Sequence, residues 1–112
     1  MTNITNLTPH PVNIVDKEGN IIKVFESAGV ARAAQEDVEI GTLEGITIIE
    51  TTFDEIVDLP EYSQGTYYIV SAITAKAASL SGRSTRDLLL PGKTVKNRDG
   101  QIIGCQALAR YK

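Results

Sequence analysis

The chain has 112 residues, 42% of them hydrophobic, with a formal net charge of −3 and a single cysteine. That length fits one domain over residues 1–112, and the composition is that of an ordinary folded chain. An internal disulfide is excluded, and no apolar run approaches the roughly 20 residues of a membrane-spanning helix.

Met1 to Asn6 has no basic stretch leading into an apolar core. No signal peptide is read there, and a cytoplasmic location is expected. In Asn6-Leu7-Thr8-Pro9-His10-Pro11, two prolines flank His10 and hold the backbone extended. Val12 to Val15 then alternates as a strand, Asp16 to Asn20 is a turn cluster, and Ile21 to Phe25 returns as the second arm of a hairpin. A third strand is read at Val30 to Ala33. Val38 to Leu43, the Glu44-Gly45 turn and Ile46 to Phe53 follow; the last is dense in β-branched residues and is the strongest strand signal in the chain. Residues 54–61 read as an irregular acidic connection, with a short strand at Ile56-Val57. Thr66 to Val70 is an apolar run suited to a central strand. Ser71 is a good N-cap, and Ile73, Ala77 and Leu80 recur at helical spacing with Lys76 toward solvent. Gly82 supplies the stop, so one short helix is predicted at about 72–80. A long loop from Ser81 is then expected to run through Leu88-Leu89-Leu90-Pro91. Lys93 to Lys96 and Gln101 to Ala109 flank Asp99-Gly100, a hairpin signal. The predicted fold is α+β: a strand-rich, mostly antiparallel sheet with one helix.

Charge is divided along the chain. Residues 1–75 carry three bases and twelve acids, whereas residues 76–112 carry eight bases and two acids. Either the two segments neutralise each other in the fold, or the basic segment lines an anion site. The cluster Arg83, Ser84, Thr85, Arg86 and Asp87 is the strongest candidate for such a site, because arginine binds phosphate and carboxylate through a planar fork. The competing reading has Arg83 on helix carbonyls and Arg86 paired with Asp87 or with an acid from the first half of the chain. Ser71 opens the helix, whose free N–H groups attract anions. Tyr67 and Tyr68 point to opposite faces of their strand; an outward tyrosine beside basic residues can stack on a base, and Tyr68 is taken as the candidate. His10 is the sole histidine, and Cys105 reads as a buried small hydrophobe, so no metal-ligand set is formed and no cofactor is implied. No phosphate-binding glycine loop or dinucleotide fingerprint occurs. The acidic balance disfavours nucleic acid.

Asn6-Leu7-Thr8-Pro9-His10, Gly65-Thr66-Tyr67-Tyr68-Ile69-Val70-Ser71, Arg86-Asp87 with Pro91, and Arg98-Asp99-Gly100-Gln101-Ile102-Ile103-Gly104 together resemble a family of small phage- and prophage-encoded proteins. The resemblance covers most of the chain. That family is largely without assigned activity, so the resemblance implies a context: a viral protein in the host cytoplasm, where small phage proteins often counter defence and some trap nucleotide second messengers. In the sequences it resembles, a Gly-Arg pair leads almost directly to Asp. Here Ser84, Thr85 and Arg86 intervene, so Arg83 and Arg86 compete for the family position. The expectation is a non-enzymatic homo-oligomer that sequesters a phosphate-bearing nucleotide signal through Arg83, Ser84, Thr85 and Arg86, with His10, Tyr68 and Ser71 as secondary candidates. The alternatives are a protein–protein interaction or structural accessory domain, and a small enzyme using His10 and Asp87.

Overall fold

A computed structural model describes residues 2–53 and 55–111. In chain order its elements are β1 (Asn3–Asn6), β2 (Val12–Val15), β3 (Ile21–Phe25), β4 (Gln35–Leu43), β5 (Ile46–Phe53), β6 (Thr66–Ile69), α1 (Ala72–Leu80), β7 (Leu88–Lys96) and β8 (Ile102–Arg110). Six strands form one sheet in the order β1-β6-β7-β8-β2-β3, and β4 pairs only with β5.

Local turn chemistry builds the hairpins. Asp16 accepts from the Glu18 and Asn20 amides at 3.0 and 2.9 Å and so closes β2 onto β3. These contacts, the Asn20 amide foremost, hold its carboxyl below the ordinary value. Asn97 does the same work between β7 and β8, accepting from Asp99 and Gln101 at 2.9 and 3.0 Å. The Glu44-Gly45 turn joins β4 to β5, with both residues at positive φ.

Strand pairing is mostly antiparallel, as expected, but the six-stranded sheet is mixed. β2–β3 and β7–β8 are antiparallel, but β1–β6, β6–β7 and β2–β8 are parallel. Leu88 to Gly92, expected in the loop, belongs to the strand that continues into the expected Lys93–Lys96 arm, with Leu88 and Leu89 beside Tyr68 and Ile69 in the sheet centre. Val30 to Ala33 is not a strand; only Arg32 pairs, with Val57, through two backbone bonds of 2.9 and 2.8 Å. Among the described residues that bridge is the one strand pairing of Ile56-Val57, and it ties the entry and exit of the β4–β5 hairpin.

The helix bounds match the sequence reading, and its cap is built as expected. Ser71 accepts from the Thr74 amide at 3.2 Å. At the other end Arg83 N–H reaches the Ala78 carbonyl and Gly82 N–H the Ser79 carbonyl, with Gly82 at φ +85°. That is a Schellman stop, open to glycine at little cost. The buried face differs from the expected one. Thr74, Ala75, Ala77 and Ala78 face the sheet, while Ile73 is largely exposed and Leu80 is 66% exposed. Small residues let the helix lie close to the strands, and Thr74 Oγ1 donates 3.1 Å to the Ala31 carbonyl beneath it.

The core therefore has two parts. Under the helix, Leu7, Ala31, Tyr68, Val70, Ala75, Ala78 and Leu88 pack together. On the opposite sheet face Val12, Ile69, Leu89 and Cys105 form the second cluster. Each fully buried Leu, Ile or Val among them contributes about 1.5–3 kcal/mol. Gly104 lets β8 approach β2: a Cβ there would lie 2.9 Å from Val15 Cγ1 and 3.1 Å from the Asn13 carbonyl. Gly104→Ala is expected to destabilise by about 1–3 kcal/mol, since Val15 is stiff at χ1 and the other contact is backbone. Urea unfolding checks this; an unchanged midpoint would mean that β2 gives way freely.

Candidate functional site

The chain leaves α1 through the Schellman stop, and this places Arg83 over Asp87. Arg83 Nη1 and Nη2 each donate 2.9 Å to one oxygen of the Asp87 carboxylate. The same two nitrogens donate 2.6 Å to the Ser84 and Pro60 carbonyls. Four of the five guanidinium N–H groups are thereby engaged, and only the buried Nε–H has no partner. Asp87 is 1% exposed and immediately precedes β7. Arg83 is thus a clasp: it neutralises a buried carboxylate and fastens the 56–61 connection to the 81–87 loop. The sequence reading of Arg83 as a ligand group does not fit this geometry, and the partner of Asp87 is Arg83 rather than Arg86.

With Asp87 taken, Arg86 is left outside. Its amide donates 3.3 Å to Ser84 Oγ, which shapes the turn, and its guanidinium lies 5.9 Å from the Tyr62 ring centroid. Arg110 arrives from the end of β8, in register with Leu89. Together with Tyr62, Ser63, Gln64, Thr66 and Tyr67, the two arginines line a polar concavity of about 250 Å³. Among the described residues the only ion pair is Arg83–Asp87, so neither Arg86 nor Arg110 is paired with a described carboxylate. Because Asp87 is matched by Arg83, the two arginines of the concavity have no ion-pair partner among the described residues.

The remaining candidates fall elsewhere. Tyr68 is buried under α1 in the core and cannot stack on a ligand; Tyr67, on the other sheet face, lines the concavity in its place. Ser84 and Thr85 serve the turn: Ser84 Oγ receives the Arg86 amide, and the Thr85 carbonyl receives the Leu88 amide at 3.1 Å. His10 and Ser71 do come together, along a different hollow with Thr8, Val12, Leu90, Pro91 and Ile102. Ser71 Oγ is occupied there, accepting from the Thr74 amide and donating 2.9 Å to Thr74 Oγ1. His10 and Asp87 are not brought together, since both Asp87 oxygens lie on Arg83. Burial raises the Cys105 thiol above its ordinary value, which keeps it protonated and unreactive. Sequence reasoning missed Arg110 and Tyr62. The signal that places Arg110 beside Arg86 is the β7–β8 register, which no local motif reveals.

Among the described residues no group of three or more His, Cys, Asp or Glu stands ready for a metal ion, and no helix is long and apolar enough to cross a membrane. Fold and site define a small strand-rich α+β protein with an arginine-lined concavity at one end of its central strands. Comparison with protein-family models, curated proteins and solved structures gives no match.

Proposed function

We propose that this protein binds a small phosphate-bearing ligand of the nucleotide class in the Arg86–Arg110 concavity and holds it without chemical change. The observation that carries this reading is the convergence of two unpaired guanidiniums and two tyrosine rings, Tyr62 and Tyr67, on one hollow. Guanidinium–phosphate contacts are charge-assisted and directional, and a tyrosine face accepts a base. Size restricts the ligand. About 250 Å³ lies just below the range for drug-sized ligands, so one phosphate with one ring system fits better than a dinucleotide. Sequestration of a nucleotide signal, in the phage context that the sequence resemblance implies, is the biological form of this reading.

Isothermal titration with linear and cyclic mononucleotides tests it. Arg86→Ala and Arg110→Ala are each expected to weaken binding about tenfold or more while leaving the fold intact. Arg86→Lys is expected to weaken it as well, because lysine lacks the planar fork. Ligand released by denaturing the complex should be chemically unchanged. No heat from any nucleotide, or binding indifferent to both arginines, would overturn the site; an altered nucleotide would point to an enzyme instead.

A further inference from the structure

The β4–β5 hairpin stands apart from the sheet. Neither strand pairs with any other, and the radius of gyration is 16.7 Å against about 13 Å for a compact chain near this size. Cross-strand register sorts its side chains. Glu36, Val38, Leu43, Ile46, Ile48 and Glu50 share one face, an apolar stripe flanked by glutamates. Leu43 is 67% and Ile46 64% exposed. Between Gln35 and Phe53 the hairpin carries five acids and no base. A lone two-stranded hairpin is marginal in water, and one with an exposed apolar face calls for a cover.

A complementary surface lies on the same chain. The far end of β7–β8 projects beyond the β6 and β2 pairings, and there Lys96 sits directly across from Ile102, with Arg98 at the turn. Ile102 is 63% exposed, and Ile103 beside it is exposed too. This end carries Lys96 and Arg98 against the single acid Asp99, so it is apolar and net basic where the hairpin is apolar and acidic. Within the protomer the two do not neutralise each other: among the described residues the sole ion pair, Arg83–Asp87, lies wholly within the basic segment. The expectation that the two charged segments pair inside one fold is therefore not met at the level of ion pairs.

We infer that a second copy of this chain covers the hairpin, with the Val38–Leu43–Ile46 face and its glutamates docked on the Lys96–Arg98–Ile102 end of β7–β8 in the neighbour. The contact is head-to-tail, because donor and acceptor are different surfaces of one protomer, and such contacts close into rings when the rotation permits. Buried isoleucine and leucine supply the affinity, and the opposite charges fix the register and choice of partner.

Sedimentation velocity of the full chain at high micromolar concentration tests this. Wild type should self-associate, and more weakly in molar sodium chloride. Glu36→Lys with Glu50→Lys, and separately Lys96→Glu with Arg98→Glu, should each weaken association about tenfold or more, with unchanged far-UV circular dichroism. All four reversals in one chain should restore it, since the charges then match in the opposite sense. A monomeric wild type, association insensitive to either pair, or failure of the fourfold variant to recover would overturn the proposal.

Discussion

Arg83→Ala should unfold at markedly lower urea than wild type, corresponding to a loss of about 3–5 kcal/mol, the usual cost of stranding one member of a buried pair. Asp87 is 1% exposed and receives both of its charged contacts from this one guanidinium. Without Arg83 the carboxylate must either stay ionised in a poor solvent or take up a proton. The Ser84 and Pro60 carbonyls lose their donors at the same time. Arg83→Lys should recover only part of the loss, because one ammonium cannot reproduce a fork that meets two oxygens and two carbonyls together. Asp87→Asn should also destabilise, by leaving the guanidinium half-satisfied. A loss below about 1 kcal/mol in Arg83→Ala would show that water screens the pair as at an exposed site.

The clasp also bears on the proposed nucleotide binding. Through the Pro60 carbonyl Arg83 fixes the chain two residues before Tyr62, and through Asp87 it fixes the residue after Arg86. It is a positioning residue, with Tyr62 and Arg86 as the groups it positions. Arg83→Ala is therefore expected to reduce stability and nucleotide affinity together, whereas Arg86→Ala should reduce affinity alone. The same basic loop thus divides its labour: one arginine is consumed by the fold and the other is released by it.

The helix was legible in the sequence because Ser71 and Gly82 mark its ends with side-chain and backbone chemistry that acts locally. The hairpins at Asp16–Asn20, Glu44-Gly45 and Asn97–Gly100 were legible for the same reason. β1 was not: its Asn-Ile-Thr-Asn carries no alternation, and it is a strand only because β6 lies beside it. β7 was hidden by Pro91, which reads as a strand breaker. Its missing N–H is tolerated because the β6 pairing ends at Leu89, leaving Pro91 on an edge. Parallel pairings bring together residues far apart in the chain, so no window of sequence records them. The site suffered in the same way: the Arg83-to-Asp87 cluster was visible, but its division into clasp and proposed ligand arm rests on Pro60, Tyr62 and Arg110.

Asn6→Asp is expected to be as damaging as the loss of the clasp, and to depend on pH. Asn6 is buried at the end of β1 and all of its side-chain groups are used. Its amide donates 2.8 Å to the His10 carbonyl and 2.9 Å to the Phe25 carbonyl. Its oxygen accepts from the Thr8 amide at 2.9 Å and from the Thr8 hydroxyl at 2.6 Å. One side chain so joins β1, the proline-flanked turn and the end of β3, which is the physical content of the Asn-Leu-Thr-Pro-His segment. Aspartate has nearly the same shape but no donor when ionised. It would hold a negative charge against two carbonyl oxygens, out of water, at a cost of about 3–5 kcal/mol. Burial and the carbonyls both raise the folded-state pKa of such a group above its unfolded value of about 3.9. The variant should therefore approach wild-type stability below that unfolded value, where the protonated acid can donate to one carbonyl, and lose ground as pH rises through the folded pKa. Urea unfolding of both proteins from acid to neutral pH reads the difference directly. A gap that stays constant across that range would show that the aspartate finds water, and that Asn6 is not the sealed joint these four hydrogen bonds describe.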